Sequence, residues 1–141
     1  MRSILVALDG SPHAGVVLAS ALTVAELFDA ELRLFRVVQV PPDIPPAGPT
    51  RADEVTPHIL AGAQLELEQL AERNPRIHVE SPVIADQAVW RLIVSRAERP
   101  DIDLLVLGSH GYGTLERLLG TTAAQVVNHT KRNVLIVRSP L

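Results

Sequence analysis

Short apolar runs alternate with helical patterns along the whole chain, and that alternation most restricts how it can fold. Ile4-Leu5-Val6-Ala7-Leu8 is uninterrupted apolar sequence ended by Asp9-Gly10, the mark of a strand buried on both faces. Ser11-Pro12 opens a helix, since serine can cap free amides and proline suits the first helical position. Ala14, Leu18, Ala21, Leu22 and Ala25 follow at helical spacing. Residues 31–38 form the second strand, with apolar side chains on both faces. Residues 76–84 form the third, at a sheet edge because Pro82 lacks a ladder donor. Residues 104–107 and 133–137 are the fourth and fifth.

The segments between strands read as helices. Thr56-Pro57 repeats the cap-then-proline signal, and Leu60, Ala63, Leu67 and Leu70 make one stripe to about residue 73. Asp86 can cap a third helix carrying Val89, Trp90, Ile93, Val94 and Ala97, with Trp90 in the core. A fourth spans residues 121–129. Residues 39–56 hold five prolines, Pro41, Pro42, Pro45, Pro46 and Pro49, and are expected to be a loop, neither helix nor interior strand.

Strict β-α alternation implies one α/β domain over residues 1–141: a single five-stranded parallel sheet, doubly wound and Rossmann-like, with helices on both faces. Aromatics are only 3% of the chain, so Val, Leu, Ile and Ala must fill the core. In such sheets a ligand binds beyond the carboxyl ends of the strands, where strand order reverses. If strands one and four are neighbours, Asp9-Gly10-Ser11 and Gly108-Ser109-His110-Gly111 line one crevice there.

Composition removes several classes of function. There is no cysteine, which excludes disulfides, thiol catalysis and Cys-ligated zinc. His13, His58, His78 and His129 share no metal-ligand spacing. Net charge is −3 without a basic block, so the electrostatic footprint of a nucleic-acid binder is missing. No apolar run reaches membrane-spanning length and no secretory leader opens the chain, so a cytoplasmic location is expected.

Glycines concentrate where the crevice is expected. Gly108, Gly111 and Gly113 follow strand four, and Gly120 stands before the helix that opens with Thr121-Thr122. A phosphate needs close backbone approach, converging N–H donors and a helix N-terminus. On spacing alone the stretch reads equally as a phosphate cradle or as a turn with a cap. Asp9 likewise reads as a ligand contact or as a plain Asp-Gly turn, and His110 as a phosphate contact or an exposed loop residue.

Strand four, Gly108-x-x-Gly111, a linker, Gly120-Thr121, a helix and a strand from Asn133 together resemble the C-terminal signature of universal stress proteins. The opening strand and Asp9-Gly10-Ser11 are similar to the start of that family. The resemblance spans essentially the whole chain and is most specific over residues 104–138. It implies the adenine nucleotide alpha hydrolase-like variant of the fold, with strand order 3-2-1-4-5. It implies an adenine nucleotide, ATP or AMP, with Mg²⁺ held through phosphates.

Residue by residue, the resemblance implies Asp9, beside Ala7 and Leu8, against the nucleoside, and Val37 against the adenine. Leu107 and Gly108 would flank the ribose. Gly111, Gly120, Thr121 and Thr122 would hold phosphates, with Ser109 and His110 in the same loop. Eight residues, 112–119, separate Gly111 from Gly120, one fewer than in the family's ATP-binding branch. Alternatives therefore stand beside a nucleotide-responsive stress regulator. One is a slow ATPase or a protein phosphorylating itself on Ser109, Thr121 or Thr122. The other is a dimeric interaction protein without nucleotide. A fast ATPase is not expected, because the crevice segments lack a lysine and a catalytic base. The family also pairs its last strand across a two-fold axis, implying a homodimer centred on Val134 and Ile136.

Overall fold

The computed structural model describes residues 1–39, 49–109 and 120–138, and of residues 49–55 the backbone alone. Strand β1 (Ser3–Ala7) lies between β2 (Glu31–Phe35) and β6 (Leu104–Gly108), parallel to both, with Val6 opposite Leu34 and Val106. With β4 (Ile77–Val79) and β7 (Asn133–Val137) at the edges, the five-stranded sheet runs β4-β2-β1-β6-β7. This is the expected topology, and strand order reverses between β1 and β6.

Alternation along β1 divides the interior in two. Ile4 and Val6 face helix α1 (Ala14–Phe28) and helix α2 (Pro49–Ala71), packing with Val17, Leu18, Ala21, Ala25 and Leu67. Leu5 faces helix α3 (Val89–Ala97) and helix α4 (Thr121–His129), packing with Phe35, Ile93, Ala97, Ala123 and Val126. Ile4, Leu5 and Val6 are fully buried, which is why the strand carries no polar residue after Ser3.

Helix α1 stops at Asp29, which takes a left-handed φ of 52°. The Asp29 N–H turns back to Glu26 O, and the Ala30 N–H donates to Ala25 O at 2.8 Å, the bonding of a Schellman end. Arg76 locks this corner from the neighbouring strand's approach, reaching Asp29 Oδ1 at 3.1 Å and Ala30 O at 2.9 Å. At the same end of the sheet Asp103 accepts the N–H groups of Arg2 and Ser3, chiefly the former, which hold its carboxyl below the ordinary range.

Three details differ from the sequence expectations. The second and third strands are each broken, continuing as a short parallel pair, β3 (Val37–Val38) with β5 (Val83–Ile84). Leu34 pairs with Val79, and Val37 with Val83, so the outer strand carries one residue more than the inner one. That surplus is a bulge, and it absorbs Pro82, which could not donate to a regular ladder. Glu80 sits in the bulge, its side chain only 11% exposed. It accepts from Arg96 Nη1 at 2.7 Å on α3 and pairs with Arg99 just beyond that helix.

The second difference is α2, which begins at Pro49, inside the stretch expected to be loop, and contains Pro57. Proline fits the first helical position, and an interior proline removes a single backbone bond. Ala63 and Leu67 on the sheet side hold the helix in place. The third is the entry to α3. Ala88, not Asp86, is the capping position, and no side chain caps it. Trp90 is also less interior than expected, half-buried and stacked on His129 at 4.3 Å.

Candidate functional site

A cavity of about 210 Å³ opens at the carboxyl ends of β1, β3 and β6, where strand order reverses. Most of its apolar wall comes from Ala7, Phe35, Val37, Leu107, Val89, Ile93 and Ala123 of the α3–α4 core, and Leu8, Ala14 and Val17 add the edge of the α1–α2 core. Its polar rim comes from Asp9, Ser11, His13, Arg36, Gln39 and Thr122.

The turn after β1 is organised by its own side chains. Asp9 Oδ1 accepts the Ser11 N–H at 2.9 Å, and Ser11 Oγ accepts the His13 N–H at 3.2 Å. Serine thus shapes the approach, while α1 itself starts three residues later, at Ala14. Leu8 N–H donates to Phe35 O at 2.9 Å, pinning the turn to β2. Gly10 has a φ of +75°, and a Cβ there would lie 2.5 Å from Arg36 Nη2. The backbone conformation favours glycine at this position, and the missing side chain leaves room for the end of Arg36.

On the other side of the crevice, α4 is tied to the end of β6. Gly120 N–H donates to Ser109 O at 2.8 Å, and Ser109 N–H to Val137 O at 2.9 Å. The first bond within the helix runs from Ala124 N–H to Gly120 O. The amides of Thr121, Thr122 and Ala123 precede it, and form the positive end of the helix beside the cavity. Ser109 Oγ is buried without a hydrogen-bond partner among the described residues.

Of the residues singled out in the sequence, Ala7, Leu8, Asp9, Val37, Leu107, Gly108 and Thr122 line the cavity. Gly120 and Thr121 stand at the adjoining helix end without lining it, and Ser109 is buried behind it. His110 and Gly111 lie outside the described residues. Sequence reasoning missed Arg36, whose signal was a lone cation inside the apolar run Phe35-Arg36-Val37-Val38. It also missed Gln39, His13 and the α3 contribution of Val89 and Ile93, which are brought in only by packing.

Among the described residues no group of three or more His, Asp or Glu side chains could hold a metal. Asp9 is the carboxylate on the cavity, so a divalent ion here would need ligand oxygens for most of its shell. Among those residues no helix is long and apolar enough to cross a membrane.

Known proteins share this fold. The family model described as the universal stress protein family matches residues 1–138. A universal stress protein of Mycolicibacterium smegmatis is 32% identical over 96% of this chain; the chain spans 45% of that relative's length. The structure of universal stress protein UspA from Lactobacillus plantarum is similar at a TM-score of 0.74 and 26% identity, covering 97% of each chain. A universal stress protein solved in complex with cAMP is similar at a TM-score of 0.62 and 27% identity, over 97% of this chain and 96% of that one. The chain belongs to the universal stress protein family.

Proposed function

We propose that this chain binds an adenine nucleotide, ATP or AMP, in the crevice and acts as a nucleotide-responsive regulator rather than as an efficient enzyme. The observation that carries this reading is the two-sided cavity at the strand-order reversal, apolar toward α3 and α4 and polar along its rim. A planar base suits the first side and a ribose phosphate the second. The cAMP complex of a similar protein supports the same ligand class.

In this reading Val37 contacts the base, Leu107 and Gly108 flank the ribose, and Asp9, already oriented by its bond to Ser11, accepts from the ribose or the base. The amides at the start of α4, with Thr122, receive a phosphate, and Mg²⁺ arrives through phosphate oxygens. The described cavity residues include no lysine, which disfavours rapid phosphoryl transfer.

The test is to denature the purified protein, look for co-released nucleotide by mass spectrometry, and titrate the emptied protein with ATP and Mg²⁺. Bound or titratable adenine nucleotide is expected; a folded protein giving neither would overturn the reading. Gly120→Val is expected to lower ATP affinity at least about tenfold by crowding the helix end. The φ of −58° at Gly120 is open to valine, so the backbone itself does not forbid the change. Unchanged affinity in a folded variant would move the phosphate site elsewhere.

The protein is further proposed to be a homodimer through β7. Among the described residues that strand is paired on one side only, by β6, and Val134, Leu135 and Ile136 are half-buried. An apolar strand with one free edge is a pairing surface. Ile136→Asp is expected to give monomers or aggregates in light scattering, and an unchanged, well-folded dimer would refute this interface.

A further inference from the structure

We infer that Gln39 selects the base of the bound nucleotide, its side-chain amide pairing with the N6–H and N7 edge of adenine. The inference rests on the nucleotide reading above and leaves the phosphate at the start of α4.

The strand ends order the crevice from one side to the other. Helix α4 follows β6, β6 pairs with β1, β1 pairs with β2, and β3 continues the chain beyond β2. A nucleotide with its phosphate at α4 and its ribose at Leu107 and Gly108 therefore has its base on the β3 side. That part of the cavity is apolar, lined by Phe35 and Val37 with Val89 and Ile93 of α3.

Gln39 stands at the outer end of this apolar slot, lining the cavity immediately beyond β3. The Val83 N–H donates to Arg36 O at 3.1 Å and the Ala85 N–H to Val38 O at 2.8 Å, so the chain stays extended through residue 38. In an extended chain residues two apart share a face, about 6.6 Å from one another. Gln39 thus falls on the side of Val37, within the span of a purine lying on that valine. Three other polar groups at the rim are engaged. Asp9 Oδ1 accepts the Ser11 N–H, Ser11 Oγ accepts the His13 N–H, and Arg36 pairs with Glu66. The Gln39 side chain is exposed and its amide makes no hydrogen bond among the described residues. Pairing with a base there breaks no internal bond.

A primary amide presents a donor and an acceptor side by side in one plane. Adenine presents the complement at N6–H and N7, the pairing that glutamine makes with adenine in the grooves of nucleic acids. Guanine and hypoxanthine present two acceptors on that edge, O6 and N7, so turning the amide over does not restore the match. Val37 and its apolar neighbours can hold any purine, whereas the amide distinguishes one purine from another.

The test is calorimetric titration of the wild type and Gln39→Ala with AMP, IMP and the 7-deaza analogue of AMP, in which carbon replaces N7. The wild type is expected to bind AMP about 5- to 10-fold more tightly than either analogue, the size of a modest hydrogen bond. In Gln39→Ala the AMP affinity should fall most, leaving the three ligands within about twofold of one another. A variant that keeps the preference overturns the inference, whether or not all three ligands weaken together, because Gln39 is then part of the wall alone. The wild type supplies an arm that needs no folded variant. There, failure to prefer AMP over either analogue overturns base selection and leaves the crevice reading intact, whereas binding none of the three overturns both.

Discussion

Phe35→Ala is expected to lower the free energy of unfolding by about 3 kcal/mol, near the bottom of the range for removing a buried phenylalanine. The ring is 1% exposed and packs in the α3–α4 core with Leu5, Ile93 and Leu107. Its upper face carries the Arg96 guanidinium at 4.5 Å from the ring centre, a contact of the cation–π type. The loss stays near the bottom of the range because Phe35 also borders the crevice. Water or neighbouring side chains can occupy part of the space, and a site that can collapse or fill loses less. With a urea slope of about 2 kcal/mol/M the midpoint should fall by about 1.5 M. A shift below about 0.3 M would mean that the ring is not part of the packed interior.

Glu80→Ala is expected to cost about 2–3 kcal/mol, with a visible change in the outer strands. Breaking a buried ion pair from one side typically costs about 3–5 kcal/mol, because the partner charge is left without compensation. Here one carboxylate serves Arg96 and Arg99, whose side chains keep 25% and 36% of their surface in contact with water. That access reduces the penalty. The carboxylate also anchors the bulge between β4 and β5, and β5 is what holds β3 in register. Hydrogen exchange of Val83 and Ala85, which donate to Arg36 O and Val38 O, should accelerate well before global unfolding. Unchanged protection at these two amides, with stability within about 0.5 kcal/mol of wild type, would show that the bulge stands without its carboxylate.

The architecture was legible because the two central strands announced themselves in composition. Residues 4–8 and 104–107 admit no polar side chain, and sheet burial on both faces explains why. Gly120 and Thr121 stood out as a helix entry, and α4 begins at Thr121. The bulge was not legible, because Pro82 signals a missing donor and says nothing about which strand carries the surplus residue. The start of α2 was misread for a related reason. Proline counts weigh against helices on average, whereas Pro49 falls at the first helical position, where its lost donor has no consequence. Asp86 had the right chemistry for a cap and the wrong distance from the helix start.

The candidate site divides along the same line. Asp9 and Leu107 follow directly from strand ends, so chain order was enough to find them. Arg36 and Gly10 meet across 26 residues of sequence, and only the register of β1 with β2 brings them together. No local pattern encodes that meeting.

The division of the interior into two cores has one more consequence. Both cores reach the crevice, but unequally: Leu8, Ala14 and Val17 bring the α1–α2 core to its edge, while Phe35, Val37, Leu107, Val89, Ile93 and Ala123 give the α3–α4 core the larger share of its wall. The α3–α4 half is therefore a stack missing its last layer. A flat apolar guest would complete that stack. Its grip would then be felt first as tighter cohesion between α3 and α4.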